Sequence, residues 1–450
     1  MFKLPFRLSL ISGACACILI HAQPASAISL IQAYQAALQN DPQHRSAKAD
    51  NDSGKQYEVI GRAGLLPQAQ YGYSLTRNKG ESVNPPNFLG IVTKTNLDYL
   101  SSSKSVSIRQ TLFNLDSYAR FKQGVVQTKY SAAQFDARSK DLMSRVLTAY
   151  VEAKFADDQL ALFKAQRDSY AEQRKVNQRL FEKGEGTKTD MLETQAKLDV
   201  AEAVILEAED NLFNARNALT AIIGMDITSL DKLREGAEYS YLIDGDFESW
   251  RSITTANNSE LAAAQLAVEI SEQEIAKSRA GHAPRLDLSA NYNHGKSETI
   301  TTLQQDNNVR SLGVQLVIPI YSGGYVNAVS KQAVAQKEKA LADLESVRNR
   351  VMNELRKQYN GLKSSVAKIE ALQNSVRSAT MLVEATKQSV KGGVRINLDL
   401  LGAQQQLVSA KRDLAQARYS YLSSFVKLKV TAGTANLDDL QTVASFFTAD

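Results

Sequence analysis

The chain has almost no cysteine, little proline, one tryptophan and no long apolar run. Its 450 residues hold 2 cysteines, 8 prolines and 4 histidines. Cys15 and Cys17 both fall inside an N-terminal segment that reads as a secretory signal peptide over residues 1–27. Lys3 and Arg7 form its positive end, Leu8 to Ile20 its apolar stretch, and Ala25-Ser26-Ala27 a small-residue cleavage site. A chain starting near Ile28 has no cysteine, which excludes disulfides and thiol chemistry. Losing Lys3 and Arg7 lowers the net charge from +5 to +3. That balance, without a basic stripe of interleaved aromatics, excludes a nucleic-acid partner. No later stretch approaches ~18 consecutive apolar residues, so no transmembrane helix is encoded. An exported chain of this kind is either soluble or enters a membrane as a β-barrel.

Proline is absent between Pro86 and Pro284 and after Pro319. Val125–Lys183, Thr187–Ile223 and Ala403–Ala432 lack both glycine and proline, and Gly361 alone interrupts Tyr325–Lys391. A helix of ~60 residues is ~90 Å long. No globular core covers that length, so such helices must pack on one another. Leu198, Ala201, Ile205, Ala208, Leu212, Ala215, Leu219 and Ile222 keep a three–four spacing. Leu407, Ala410, Leu414, Ala417, Tyr421, Ser424 and Leu428 repeat it 209 residues later. This is a coiled-coil seam in which large and small residues alternate.

The duplication extends beyond the seam. Arg62-Ala63-Gly64-Leu65-Leu66-Pro67 returns as Arg279-Ala280-Gly281-His282-Ala283-Pro284, and Asp190-Met191-Leu192 as Asp399-Leu400-Leu401. Each half reads helix, strand pair, long helix, break, long helix. The first repeat spans 28–235, with strands 68–76 and 105–113 and long helices 118–183 and 187–223. The second spans 236–445, with a helix over 256–280, strands 285–293 and 310–320, and long helices 325–391 and 397–431. Residues 224–257 and 432–450 break the pattern, and 77–104 reads as a long surface loop. Ala69, Tyr71, Tyr73 and Leu75 alternate with Gln68, Gln70, Gly72 and Ser74, and the other strands behave alike. One face is apolar and the other polar. A soluble sheet on a core and a membrane barrel both satisfy this. Four strands cannot close a membrane barrel, which needs at least about 8; three chains would supply about 12.

The chain resembles the TolC-like outer membrane factors, the ducts of efflux and type I secretion systems. The resemblance covers essentially all of the chain after residue 27. It is carried by the duplicated strand–helix order, the R-A-G-x-x-P motifs, Leu316-Val317-Ile318-Pro319-Ile320-Tyr321-Ser322-Gly323-Gly324, and Ala417-Arg418-Tyr419-Ser420-Tyr421-Leu422. It implies an α+β membrane protein, internally duplicated. Long coiled-coil helices would form a periplasmic α-barrel, and four β-strands per chain would contribute to a shared trimeric transmembrane β-barrel. Residues 224–257, with Trp250, and 432–450 would form an equatorial region. The implied partners are two further copies of the chain, outer-membrane lipid, a periplasmic adaptor, and an inner-membrane ABC exporter or proton-driven pump.

The resemblance also implies roles for residues at the helix breaks. Gly184, Gly186, Gly392 and Gly393 mark helical tips that close the periplasmic entrance and dock adaptors. Asp399 matches an aspartate whose symmetry copies form an acidic ring; a second aspartate of the pattern is here Gly402. Asp190 and Arg395 match a pair that holds the inner hairpin closed, and a tyrosine that accompanies the arginine is here Val390. Read without the resemblance, Asp190 and Asp399 are first-turn carboxylates favoured by the helix dipole. Thr187 or Thr189, and Asn397, would then be N-caps. Tyr71, Tyr73, Phe113, Tyr292 and Tyr321 read as a membrane-interface girdle if the strands form a barrel, and otherwise as ordinary strand formers. No cofactor is expected. His44, His282 and His294 lack metal-ligand spacing, and no nucleophile–base pair is visible, so an enzyme is not indicated. A periplasmic coiled-coil adaptor without a barrel remains the alternative, and the cargo is left open.

Overall fold

The structure is a computed structural model that describes residues 27–84, 88, 90, 92–234, 236–237, 239, 245–297 and 305–448. Most of the signal segment, Pro85-Pro86-Asn87 and the last two residues lie outside them. Helices α1 (Leu30–Asn40), α2 (Pro42–Gly54) and α3 (Gln56–Ala63) lead into the hairpin β1 (Gln68–Asn84) and β2 (Thr93–Asn114). Two long helices follow, α4 (Leu115–Glu182) and α5 (Lys188–Ile223). After the short β3 (Lys232–Leu233), the order repeats as α6 (Phe247–Asn257), α7 (Ser259–Arg279), β4 (Arg285–Ser297), β5 (Gln305–Val317), α8 (Tyr325–Lys391) and α9 (Asn397–Ala432). The chain closes with α10 (Leu437–Ala444) and β6 (Phe447–Thr448).

Several boundaries differ from the sequence reading. The loop assigned to 77–104 is mostly strand, since β1 and β2 stay in register from Gln68↔Arg109 to Asn84↔Thr93. The added length has no apolar face, so a period-of-two argument cannot detect it. Polar pairs hold it instead: Arg77 donates twice to Asp98, at 2.8 and 2.9 Å, and Asn78 bonds Ser101 at 3.0 Å. Strand β5 begins earlier than residue 310 and ends at Val317, two residues before Pro319, which has no N–H for the ladder. The helix placed at 256–280 is α7 together with the last two residues of α6. Asn258 breaks it, accepting from the Leu261 N–H at 2.8 Å to cap α7 and donating to the Thr431 carbonyl at 2.7 Å. Likewise the first helix is divided at Asp41-Pro42 and Lys55. Asp41 caps α2 and pairs with Arg145 of α4 at 2.7 Å. Burial alone would raise the Asp41 carboxyl, but the Arg145 hydrogen bond and charge, with the His44 N–H, hold it below the ordinary range.

The four long strands form one antiparallel sheet in the order β1-β2-β4-β5. The central β2–β4 pairing joins the two halves of the duplication, and β1 and β5 are left as edges. Ala69, Ile108, Ala290 and Leu312 share one register row and one face, as do Tyr71, Val106 and Tyr292. That face is apolar and bare: Tyr71 is 66% exposed and Leu312 76%. The opposite face is polar, with Ser103 bonded to Asn293 and Arg109 paired with Asp287.

The helices supply the core. Leu198, Ala201, Ile205, Ala208, Leu212 and Leu219 are buried along α5, and Ala410, Leu414, Ala417, Tyr421 and Leu428 along α9. Around their middle, β3 pairs with β6, so the two segments that break the repeat meet each other. Phe447 packs edge-on against Tyr150 at 5.6 Å, and Tyr421 against Tyr239 at 5.5 Å. Beneath them Lys154, 2% exposed, pairs with Asp157 and Asp158, both at 2.8 Å. Tyr419 donates to the same Asp158 at 2.6 Å. Burial and the Asp158 charge push the Tyr419 hydroxyl well up, so it remains a donor.

Candidate gate at the helical tips

Each pair of long helices turns through a short glycine-bearing break. Gly184 and Gly393 adopt left-handed φ of 76° and 71°. Both terminate their helix in the same way. The Gly184 N–H bonds Phe181 O and the Glu185 N–H bonds Leu180 O; the Gly393 N–H bonds Val390 O and the Val394 N–H bonds Ser389 O. Only glycine adopts this conformation without a Cβ penalty. The other two glycines serve differently. A Cβ on Gly186 would come within 3.0 Å of Leu180 and Phe181, and Gly392 has an ordinary φ of −81°.

The candidate gate residues follow these turns. Asp190 sits in the first turn of α5, where its N–H bonds Thr187 Oγ1 at 3.1 Å and its carboxylate accepts from the same hydroxyl at 2.6 Å. Within one chain the N-cap reading of Thr187 therefore holds. Asn397 departs from the cap reading. Ile396 occupies the cap position of α9 with no side-chain cap bond, and Asn397 is the first helical residue, turned inward and buried. Asp399 and Arg395 are exposed on either side of it. Among the described residues Asp190 and Arg395 form no ion pair with each other, so one chain does not bring that pair together.

What one chain does bring together is a buried polar cluster joining α4, α5 and α9. Asn397 Nδ2 donates to Thr194 Oγ1 at 2.9 Å, and Asn177 Nδ2 donates to the same oxygen at 2.8 Å. Thr194 passes its own proton to the Asp190 carbonyl at 2.8 Å. Gln173 Nε2 bridges Asn177 and Asn397 at 3.1 and 3.0 Å. Further along α4, Gln166 donates to Gln405 of α9 at 2.8 Å and to the Tyr170 hydroxyl at 2.9 Å. Thr194 is 0% exposed, and Asn177 and Asn397 5% each. No side-chain atom of these residues is buried without a partner, so the cluster ties α9 to the first hairpin in one register. Sequence reasoning missed these residues, although a signal exists. Thr194 lies four residues before Leu198, on the seam, and Gln166, Tyr170, Gln173 and Asn177 keep the same three–four spacing.

The girdle candidates lie on or beside the sheet. Tyr71, Tyr73 and Tyr292 share its apolar face, Phe113 pairs opposite Leu286 at the helix-proximal end, and Tyr321, 87% exposed, follows β5. Among the described residues no cluster of potential metal ligands occurs, and no helix is long and apolar enough to cross a membrane.

A bare apolar sheet face joined to helices far longer than a domain is the architecture of a chain that lends strands to a membrane barrel and runs its helices away from it. The outer membrane efflux protein family model matches residues 33–225 and 250–434, one match per repeat, and the chain belongs to that family. It is similar to the alkaline protease secretion protein AprF of Pseudomonas aeruginosa, at 39% identity over 96% of this chain and 89% of that protein. It is also similar to the proteases secretion protein PrtF of Dickeya chrysanthemi, at 37% identity over 94% and 92%. Among solved structures, the Campylobacter jejuni CmeC outer membrane channel superposes with a TM-score of 0.78 at 17% identity, covering 99% of this chain and 98% of that one. The chain is thus an outer-membrane exit duct of an export system, TolC-like in fold.

Proposed function

We propose that this duct serves type I protein secretion, as a homotrimer working with a periplasmic adaptor and an inner-membrane ABC exporter. The observation that carries the reading is the identity of 39% and 37%, over more than nine-tenths of this chain, to two proteins named for protease secretion. A trimer accounts for the unpaired edges β1 and β5, because three copies give about 12 strands and leave no open edge. It also gives a partner to the exposed apolar residues of α5, among them Val200, Leu206 and Phe213. Deleting the gene should abolish an extracellular protease while leaving drug susceptibility unchanged. Unchanged protease with raised drug susceptibility would assign the duct to efflux instead.

In this assembly the turns at Gly184, Gly186, Gly392 and Gly393 form the periplasmic entrance and the adaptor contact. Asp399, exposed in the first turn of α9, would form a ring of three carboxylates. Converging carboxylates bind cations and select against anions in a narrow pore. Asp399→Ala should therefore weaken block by polyvalent cations in planar bilayers. Block at the parent's concentration would remove Asp399 from the pore. Asp190 and Arg395, unpaired within one chain, would meet between chains. Tyr71, Tyr73, Phe113, Tyr292 and Tyr321 would line the membrane interfaces as the aromatic girdle.

A further inference from the structure

The apolar face of the sheet meets a basic residue on each strand. Moving from the helices toward the hairpin tips, the first residue after the apolar band is Arg77 after Leu75 on β1, and Lys104 after Val106 on β2. It is His294 after Tyr292 on β4, and Arg310 after Leu312 on β5. All four share the apolar face by register. The change does not follow one register row. Arg310 lies opposite Tyr292, Lys104 opposite both His294 and Tyr73, and Arg77 opposite Leu100. From β5 to β1 the change moves toward the hairpin tips. The helix-proximal end shifts the same way: Asn114, Arg285 and Val317 share a row, while β1 joins only at Gln68, opposite Arg109. Tilted strands crossing a plane produce this pattern. The four basic residues thus mark one level, the outer rim of the apolar band.

Two of the four already have acidic partners. Arg77 is held by Asp98, and His294 faces Asp306 at 3.5 Å. Lys104 and Arg310 have no carboxylate within ion-pair distance among the described residues, and Arg310 lies 5.8 Å over the Tyr292 ring. Both are exposed on the apolar face, each beside a tyrosine. On the outside of a barrel at that height the available counter-charge is a lipid headgroup. A guanidinium fork and an ammonium suit the oxygens of a phosphate.

We infer that Lys104 and Arg310, with Tyr73 and Tyr292 beside them, form a binding surface for the phosphates of an outer-leaflet lipid. The inference rests on the barrel orientation of the sheet, and channel conductance tests that separately. The full-length trimer in detergent would be titrated with bis-phosphorylated lipid A and with its dephosphorylated form, at fixed ionic strength. Each cation near an anionic lipid surface contributes, so the parent should prefer the phosphorylated lipid by about tenfold or more. The double variant Lys104→Gln with Arg310→Gln should lose that preference and keep the parent's conductance in neutral bilayers. The variant Lys363→Gln with Lys368→Gln, which changes charge equally on exposed α8 positions, should retain it. Equal affinity of the parent for both lipids would overturn the proposal whatever the variants do. So would an undiminished preference in the double variant, or displacement of the lipid by inorganic phosphate at the same phosphate concentration, which would make the site one for soluble anions.

Discussion

Lys154→Ala should lower the stability of the folded chain by about 3 kcal/mol, toward the lower end for breaking a buried pair. Lys154 is enclosed, while Asp157 and Asp158 keep side-chain exposures of 38% and 31%. Water therefore softens the penalty on the carboxylates left behind. Asp157 retains Arg216 at 3.4 Å, whereas Asp158 keeps only the neutral Tyr419 hydroxyl and is left without a counter-charge. The midpoint of guanidinium unfolding in detergent, followed by helical circular dichroism, measures the loss. Combining Lys154→Met with Asp158→Asn should recover more than half of it, because the uncompensated charge is removed with its partner. A Lys154→Ala protein as stable as one carrying Lys363→Ala would refute the cluster's role. Burial alone would lower the Lys154 ammonium, yet the bonds and charges of Asp157 and Asp158 raise it. Its contribution is therefore complete below the unfolded value of about 10.4 and is lost only as pH rises through the higher folded value.

Arg395→Ser should enlarge the resting conductance of the reconstituted channel. The Asn177–Thr194–Asn397 cluster fastens α9 to the first hairpin internally, whereas Arg395 remains exposed beside it with its N–H on Ser389 O. In a trimer the tips converge, and Asp190 of a neighbouring copy is the proposed partner. A charge-assisted hydrogen bond contributes about 1.5–3 kcal/mol. Its loss would shift the ratio of closed to open states by roughly ten- to a hundredfold. Single-channel recording in planar bilayers reads this directly, with Lys391→Ser as the control for a nearby cation lost from the same turn. An Arg395→Ser channel as closed as the parent would remove the residue from the gate. The internal cluster should survive the substitution, so the open channel should still be folded and trimeric.

The two clusters differ in how far the sequence exposed them. The turn at Gly393 and the first-turn position of Asp399 could be read locally, because helix termination depends on neighbouring residues. The role of Asn397 could not. A polar residue just after a break reads as a cap, and its inward turn depends on Thr194 lying across the bundle, 203 residues away in the chain. Lys154 likewise looks like any charged residue on a long helix. It is buried where Phe447 of β6 packs against Tyr150 of α4 and Tyr419 of α9 beside it. In the sheet, alternation was legible along the apolar face and vanished beyond Arg77, where the paired strands carry polar residues on both faces.

The sequence by itself determined the duplicated order of elements, the coiled-coil seam and the apolar strand faces. Each is a periodicity of hydrophobic burial within a single segment, and such periodicities need no knowledge of partners. Only the tertiary structure decided that β2 pairs with β4 to unite the two halves in one sheet. It alone showed that a buried polar cluster fastens α9 to the first hairpin, and that Lys104 and Arg310 share the apolar face of the sheet with no ion pair among the described residues. These depend on which faces meet across nearly two hundred residues of chain, and hydrogen bonds and charges act only between groups that the fold has already brought within a few ångströms.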